Sequence, residues 1–138
     1  MKPYEAVGYM MIEATAISSI VGSGSAANVY HGLRPRSTDL PSVNYYAVGG
    51  GARYNGVERQ QFSINCRAGS AAQARDLARV VMDVFAGAQG RGVYGMAGTF
   101  EVGRSSLAND DGVIPEPDDR TFNAPIEVTL VYPVSAVT

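Results

Sequence analysis

The sequence is poor in the side chains that most enzymes use for chemistry. His31, Cys66 and Lys2 are the only residues of their types among 138. A Ser/His/Asp or Cys/His nucleophilic arrangement would have to run through His31, and no serine stands in a nucleophile-elbow sequence. His31 itself lies inside a short strand-like stretch and reads as a surface or strand-edge residue. One cysteine and one histidine cannot supply the closed ligand set of a zinc site. A single cysteine also excludes an intramolecular disulfide, which suits a reducing compartment. The formal net charge is -2, so no basic footprint for general nucleic-acid binding is present. No run approaches the ~20 apolar residues of a membrane-spanning helix. No cofactor is expected. GSGSAA, Gly22 to Ala27, matches G-x-G-x-x-A on paper, but a helix precedes it and a strand follows, the reverse of a dinucleotide fingerprint. AGAQGRGVYG lacks the Lys-Ser/Thr ending of a phosphate loop.

What is present is the patterning of one folded domain, residues 1–138, with 46% hydrophobic residues. A chain of this length buries roughly two-thirds of its unfolded surface. Val7, Met10, Met11, Ala14, Ile17 and Val21 recur at spacings of three and four, predicting a helix from about Pro3 to Ile20. Pro3 suits a first-turn position, and the glycines from Gly22 onward suit a stop. Glu5 and Glu13 interrupt the apolar run that a signal peptide needs, so the segment reads as part of the folded protein.

NVYHGL (Asn28 to Leu33) and SVNYYAV (Ser42 to Val48) read as strands, and Asn55-Gly56 as a hairpin turn. From Val57 to Arg67 the pattern alternates, with Phe62, Ile64 and Cys66 on one side and Gln61, Ser63 and Asn65 on the other. Ser70 and Gln73 form a capping box that opens a second helix. Ala74, Leu77, Ala78, Val81, Val84 and Phe85 make its apolar face, and Gly87 ends it. PIEVTLVYP closes the chain as an alternating strand, with Ile126, Val128, Leu130 and Tyr132 on one side. Helix, strands, helix, strands is an α+β pattern: a mainly antiparallel sheet of about four to five strands, with two helices packed on one face.

Between these elements lie stretches with less pattern. GVYGMAGTFEVGRSSL is strand-like but broken by glycine, and ANDDGVIPEPDD reads as an exposed loop. The acids of the latter region, Asp110, Asp111, Glu116, Asp118 and Asp119, do not follow a calcium-loop pattern, because two prolines interrupt the spacing. Arg34, Arg36, Arg53, Arg59, Arg91 and Arg104 fall mostly in or beside loops, as do Tyr54 and Tyr94. Arg and Tyr are favoured at protein–protein interfaces. Tyr45 and Tyr46 are adjacent on one strand, so one is expected in the core and the other outside. Glu58, Glu101 and Glu127 are the carboxylates available to a small-molecule-binding or carboxylate-based enzymatic domain.

In element order and in several local phrases the chain resembles the tail-completion and tail-terminator proteins of long-tailed bacteriophages. The similar parts are the N-terminal helix with its Gly-rich stop, VYHGLRPRSTDLPSVNYYAV with LP before a strand, QQFSINCRA, SAAQARDLARVVMDVF with its A-R-x-L-A core, and APIEVTLVYP. That resemblance implies a non-enzymatic virion protein, assembled in the bacterial host cytoplasm, that forms a homo-oligomeric ring, usually hexameric. Such a ring caps the major tail tube protein and joins it to the head-neck connector protein. DNA passes through it without specific binding, and no membrane is involved. A head–tail connector subunit is the alternative within the same biology. Arg53, Tyr54, Arg91 and Tyr94 are the nominated contact residues. Asp110, Asp111, Glu116, Asp118 and Asp119 are the candidate lumen-facing acids.

Overall fold

The structure, a computed structural model, describes residues 2–22, 27–32, 40–87, 101–102, 106–107, 113–117 and 120–133. The N-terminal apolar stripe forms two helices where one was expected: α1, Pro3–Glu13, and α2, Thr15–Val21. Ala14 between them is extended, at φ −75° and ψ 114°. The reason lies in α2 itself, whose sequence TAISSIV holds mostly β-branched and hydroxyl residues of low helix propensity. Two of those hydroxyls turn back onto the helix, Ser18 Oγ donating to Thr15 O at 3.2 Å and Ser19 Oγ to Ala16 O at 3.1 Å. At the start of α1, the Lys2 amide donates to Glu5 Oε2 at 2.8 Å, with Pro3 in the first turn. Gly22 ends α2 at φ 93° and ψ 168°, a positive-φ conformation that favours glycine.

The strands and third helix follow as β1 Val29–His31, β2 Ser42–Tyr54, β3 Val57–Ala68, α3 Ala71–Gly87, β4 Glu101–Val102, β5 Ser106–Leu107, β6 Ile114–Pro115 and β7 Phe122–Pro133. Across the sheet the order is β1-β2-β3-β7, and the outer side of β7 is shared by β4, β5 and β6. Among the described residues only the β1–β2 pairing is parallel, so the expected α+β class with a mainly antiparallel sheet holds, as does its width. β2 does not stop at Val48. It continues through Gly49–Gly51 with register shifts between Ala47 and Gly49 and between Gly50 and Ala52. Glycine accommodates such bulges, so the Gly-rich stretch bends the strand instead of ending it. The turn to β3 has Asn55 at φ 51° and Gly56 at φ 77°, the two-residue geometry expected of Asn-Gly.

Part of the expected exposed loop is also sheet. Ile114 and Pro115 pair with Asn123 and Phe122 of β7. Proline is tolerated there because β6 lies on the outer side of β7, where a missing donor breaks no second ladder.

One core holds the layers together. Phe62, Ile64 and Cys66 of β3 stand opposite Val128, Ile126 and Ala124 of β7, all essentially inaccessible. Ala74, Leu77, Ala78, Val81 and Phe85 of α3, Ala6, Val7 and Met11 of α1, and Ile17 and Val21 of α2 join the same cluster. α3 lies against β3 and β7, α1 against β1, β2 and α3, and α2 against α1 and α3. The break at Ala14 lets α1 and α2 follow these different neighbours. Each fully buried Leu, Val or Phe side chain contributes about 1.5–3 kcal/mol. Gly8 brings α1 close to the sheet: a Cβ there would sit 2.3 Å from the Tyr45 hydroxyl. At the start of α3, the Gln73 amide donates to Ser70 Oγ at 3.2 Å, one arm of the expected cap.

Candidate interaction surface

Strand alternation fixes which residues share the side of the sheet away from this core. Asn44 and Tyr46 of β2 stand beside Asn65 and Ser63 of β3, and Ser63 and Asn65 beside Glu127 and Pro125 of β7. This second side divides in two. One end is polar and enclosed, with Asn44 3% and Asn65 6% exposed. There Arg67 donates from Nε to Glu116 Oε1 and from Nη1 to Asn44 Oδ1. Asn44 Nδ2 donates to Gly32 O at 2.9 Å, and Asn123 Nδ2 to Asn65 Oδ1 at 2.9 Å.

The other end is open. Tyr46 is 39%, Val48 47% and Val57 41% exposed, and Arg59 and Glu127 are exposed beside them. Glu127 accepts a hydrogen bond from Gln61 Nε2 at 3.0 Å. An aromatic ring, aliphatic groups and both signs of charge on a firm sheet make a surface suited to another protein. Tyr45 is buried and Tyr46 exposed, as the adjacent pair required.

Elsewhere the geometry argues for packing over chemistry. His31 is exposed, stacks on Tyr4 with centroids 4.3 Å apart and planes 9° apart, and lies 5.2 Å from the tilted Tyr45 ring. These contacts seat α1 on β1 and β2. Burial, helped by Tyr4 and Glu5, raises the Tyr45 pKa. Burial also pushes the Cys66 thiol up to about 12 from 9.0, against an opposing pull from Arg67. A thiol held neutral in this way is a poor nucleophile. Its contribution to stability is complete below pH 9 and is lost as pH rises through about 12. Glu58 and Glu127 belong to opposite sides of the sheet, since Glu58 is in register with Tyr132 and Ser63 with Glu127. They therefore form no carboxylate pair. A cleft of about 220 Å³ between α2 and α3 is lined by Ile20, Pro41, Gln73, Asp76 and Leu77, with one carboxylate among them.

The nominated contact residues fall differently. Arg53 and Tyr54 end β2, in register with Glu58 and Val57 beside the Asn55-Gly56 turn. Arg91, Tyr94, Asp110, Asp111, Asp118 and Asp119 lie outside the described residues. Glu116 is half-buried and engaged by Arg67, so its carboxylate is drawn to the sheet. Sequence reasoning missed Arg67, because nothing in a strand pattern reveals a partner so far along the chain. Tyr46 was visible as one of a pair.

No protein-family model and no curated protein sequence matches the chain. Among solved structures it is similar to a chain of the virion of a native gene transfer agent particle, with a TM-score of 0.56 and 16% sequence identity. The match covers 95% of this chain and 92% of the other. The likeness is one of fold. It takes in both the helices and the sheet, and it leaves little of either chain unmatched.

Proposed function

We propose that the protein is a structural subunit of a phage-like particle: a ring-forming tail terminator that caps the tail tube and joins it to the head-neck complex. The observation that carries this reading is the nearly end-to-end fold likeness to a virion component. The phage-tail resemblance of the sequence and the open, mixed surface around Tyr46, Val48 and Arg59 agree with it. The mechanism is geometric. A sheet held rigid by one core presents loops and strand ends at fixed positions, where they meet copies of the chain, the tube and the neck. The β2–β3 turn with Arg53 and Tyr54, together with Arg91 and Tyr94, supplies subunit contacts. The segment carrying Asp110, Asp111, Glu116, Asp118 and Asp119 lends negative surface to the lumen, so that DNA passes without being held.

Adding the purified protein to growing tubes of its cognate tube protein tests this reading by electron microscopy. Elongation should stop, with a ring of extra density at one tube end. Binding to connector-bearing heads with tube growth unaffected would replace the terminator role with the neck role. Association with neither would overturn the particle reading. Charge reversal of Asp110, Asp111, Asp118 and Asp119, leaving the Arg67-bound Glu116 in place, should impair DNA delivery more than ring assembly; the opposite order would remove them from the lumen.

A further inference from the structure

Four of the described strands, β1, β4, β5 and β6, are only two or three residues long, and two of them, β1 and β6, end beside one side-chain cluster. β1 has three residues and β6 has two, and an isolated short pairing is marginal in water. Each strand is followed at once by a backbone bond to its neighbour: the Gly32 amide donates to Tyr45 O at 2.8 Å, and the Glu116 amide to Thr121 O at 2.8 Å. Far apart in sequence, these two points are linked by the backbone ladder through β2, β3 and β7 and, more directly, by a chain of side chains across the sheet.

We propose that Arg67 is a two-armed latch that couples the end of β1 to the end of β6, so that release of one segment loosens the other. Its guanidinium donates from Nε to Glu116 Oε1 and from Nη1 to Asn44 Oδ1, and Asn44 passes the connection on from Nδ2 to Gly32 O at 2.9 Å. The link is shielded along its length. Asn44 is 3% exposed, and the Arg67 and Glu116 side chains are 19% and 24% exposed. A polar chain removed from water is stronger while complete and more costly once broken, because each freed group is left without its partner. The planar fork matters as much as the charge. Two donors on different nitrogens reach two acceptors, Asn44 on β2 and Glu116 just beyond β6, an arrangement that a lysine ammonium does not reproduce. The coupling is a property of the single chain, so it stands or falls apart from the particle role.

Amide hydrogen exchange on the full chain tests the latch, comparing wild type with Glu116→Ala and Arg67→Lys. Glu116→Ala removes one arm and touches neither Gly32 nor Asn44. The latch requires exchange at the Gly32 amide to quicken with that at Glu116, by about five-fold or more, the lower end of ordinary coupling between sites. The core amides of Ile64 and Val128 should stay unchanged. Arg67→Lys, which keeps the charge and loses the fork, should quicken the same two amides. Three outcomes would overturn the proposal: Gly32 unmoved in Glu116→Ala, full protection of both amides in Arg67→Lys, or equal quickening at Ile64 and Val128, which would make the effect a general loss of stability.

Discussion

Alternate residues of β3 and β7 build two surfaces from the same strands, and the two are held by different physics. On one, Phe62, Ile64, Val128 and Ile126 meet the helices, and what counts is apolar volume in an enclosed space. On the other, Asn65, Arg67, Asn123 and Glu127 depend on partners at set distances, and much of the surface beyond them stays wet. The first surface is cooperative throughout, and the second is a set of local agreements apart from the link through Arg67. Substitutions should therefore be severe and delocalised on one side, and mild or confined on the other.

Phe85→Ala should break the apolar side hardest. The ring is fully buried at the end of α3, and its loss should cost about 3–5 kcal/mol in chemical denaturation. Next comes Gly8→Ala, where two effects oppose each other. Alanine within a helix normally gains about 1 kcal/mol over glycine. Here the new methyl would meet the Tyr45 hydroxyl at 2.3 Å, and overpacking of that kind costs about 1–3 kcal/mol. The net change should be destabilising, and adding Tyr45→Phe should recover part of it by removing the obstructing oxygen. A single Gly8→Ala protein more stable than wild type would show that α1 has room to shift. Ser70→Ala removes the cap received by the Gln73 amide and should lower the melting free energy by about 1 kcal/mol. Smallest of all, Glu127→Gln on the open side keeps the shape of the side chain that Gln61 contacts and should change stability by less than about 0.5 kcal/mol. A larger loss there would mean that the open side carries more of the fold than its exposure suggests.

The same contrast governs what could be read from the residues. α3 was plain because its apolar period and its Ser70 cap are local, and β3 and β7 were plain because alternation survives along their whole length. The Asn55-Gly56 turn announces itself through two residues that tolerate positive φ. The break at Ala14 was hidden, since the apolar spacing runs on across it while α1 and α2 seek different neighbours. The extension of β2 was hidden by its glycines, which usually mark an end and here mark bulges. β6 was hidden by its proline. The link from Glu116 through Arg67 and Asn44 to Gly32 depends on four strands being in place, so no window of sequence could contain it.

Cys66 has a practical consequence. It is the sole thiol of the chain, lies near the end of the central strand β3 and has no accessible surface. Any reagent that modifies it must wait for the sheet to part, so the labelling rate of native protein is an internal clock for opening events. Read before and after the subunit joins a larger assembly, that clock would report how firmly neighbours clamp the sheet, without a single engineered probe.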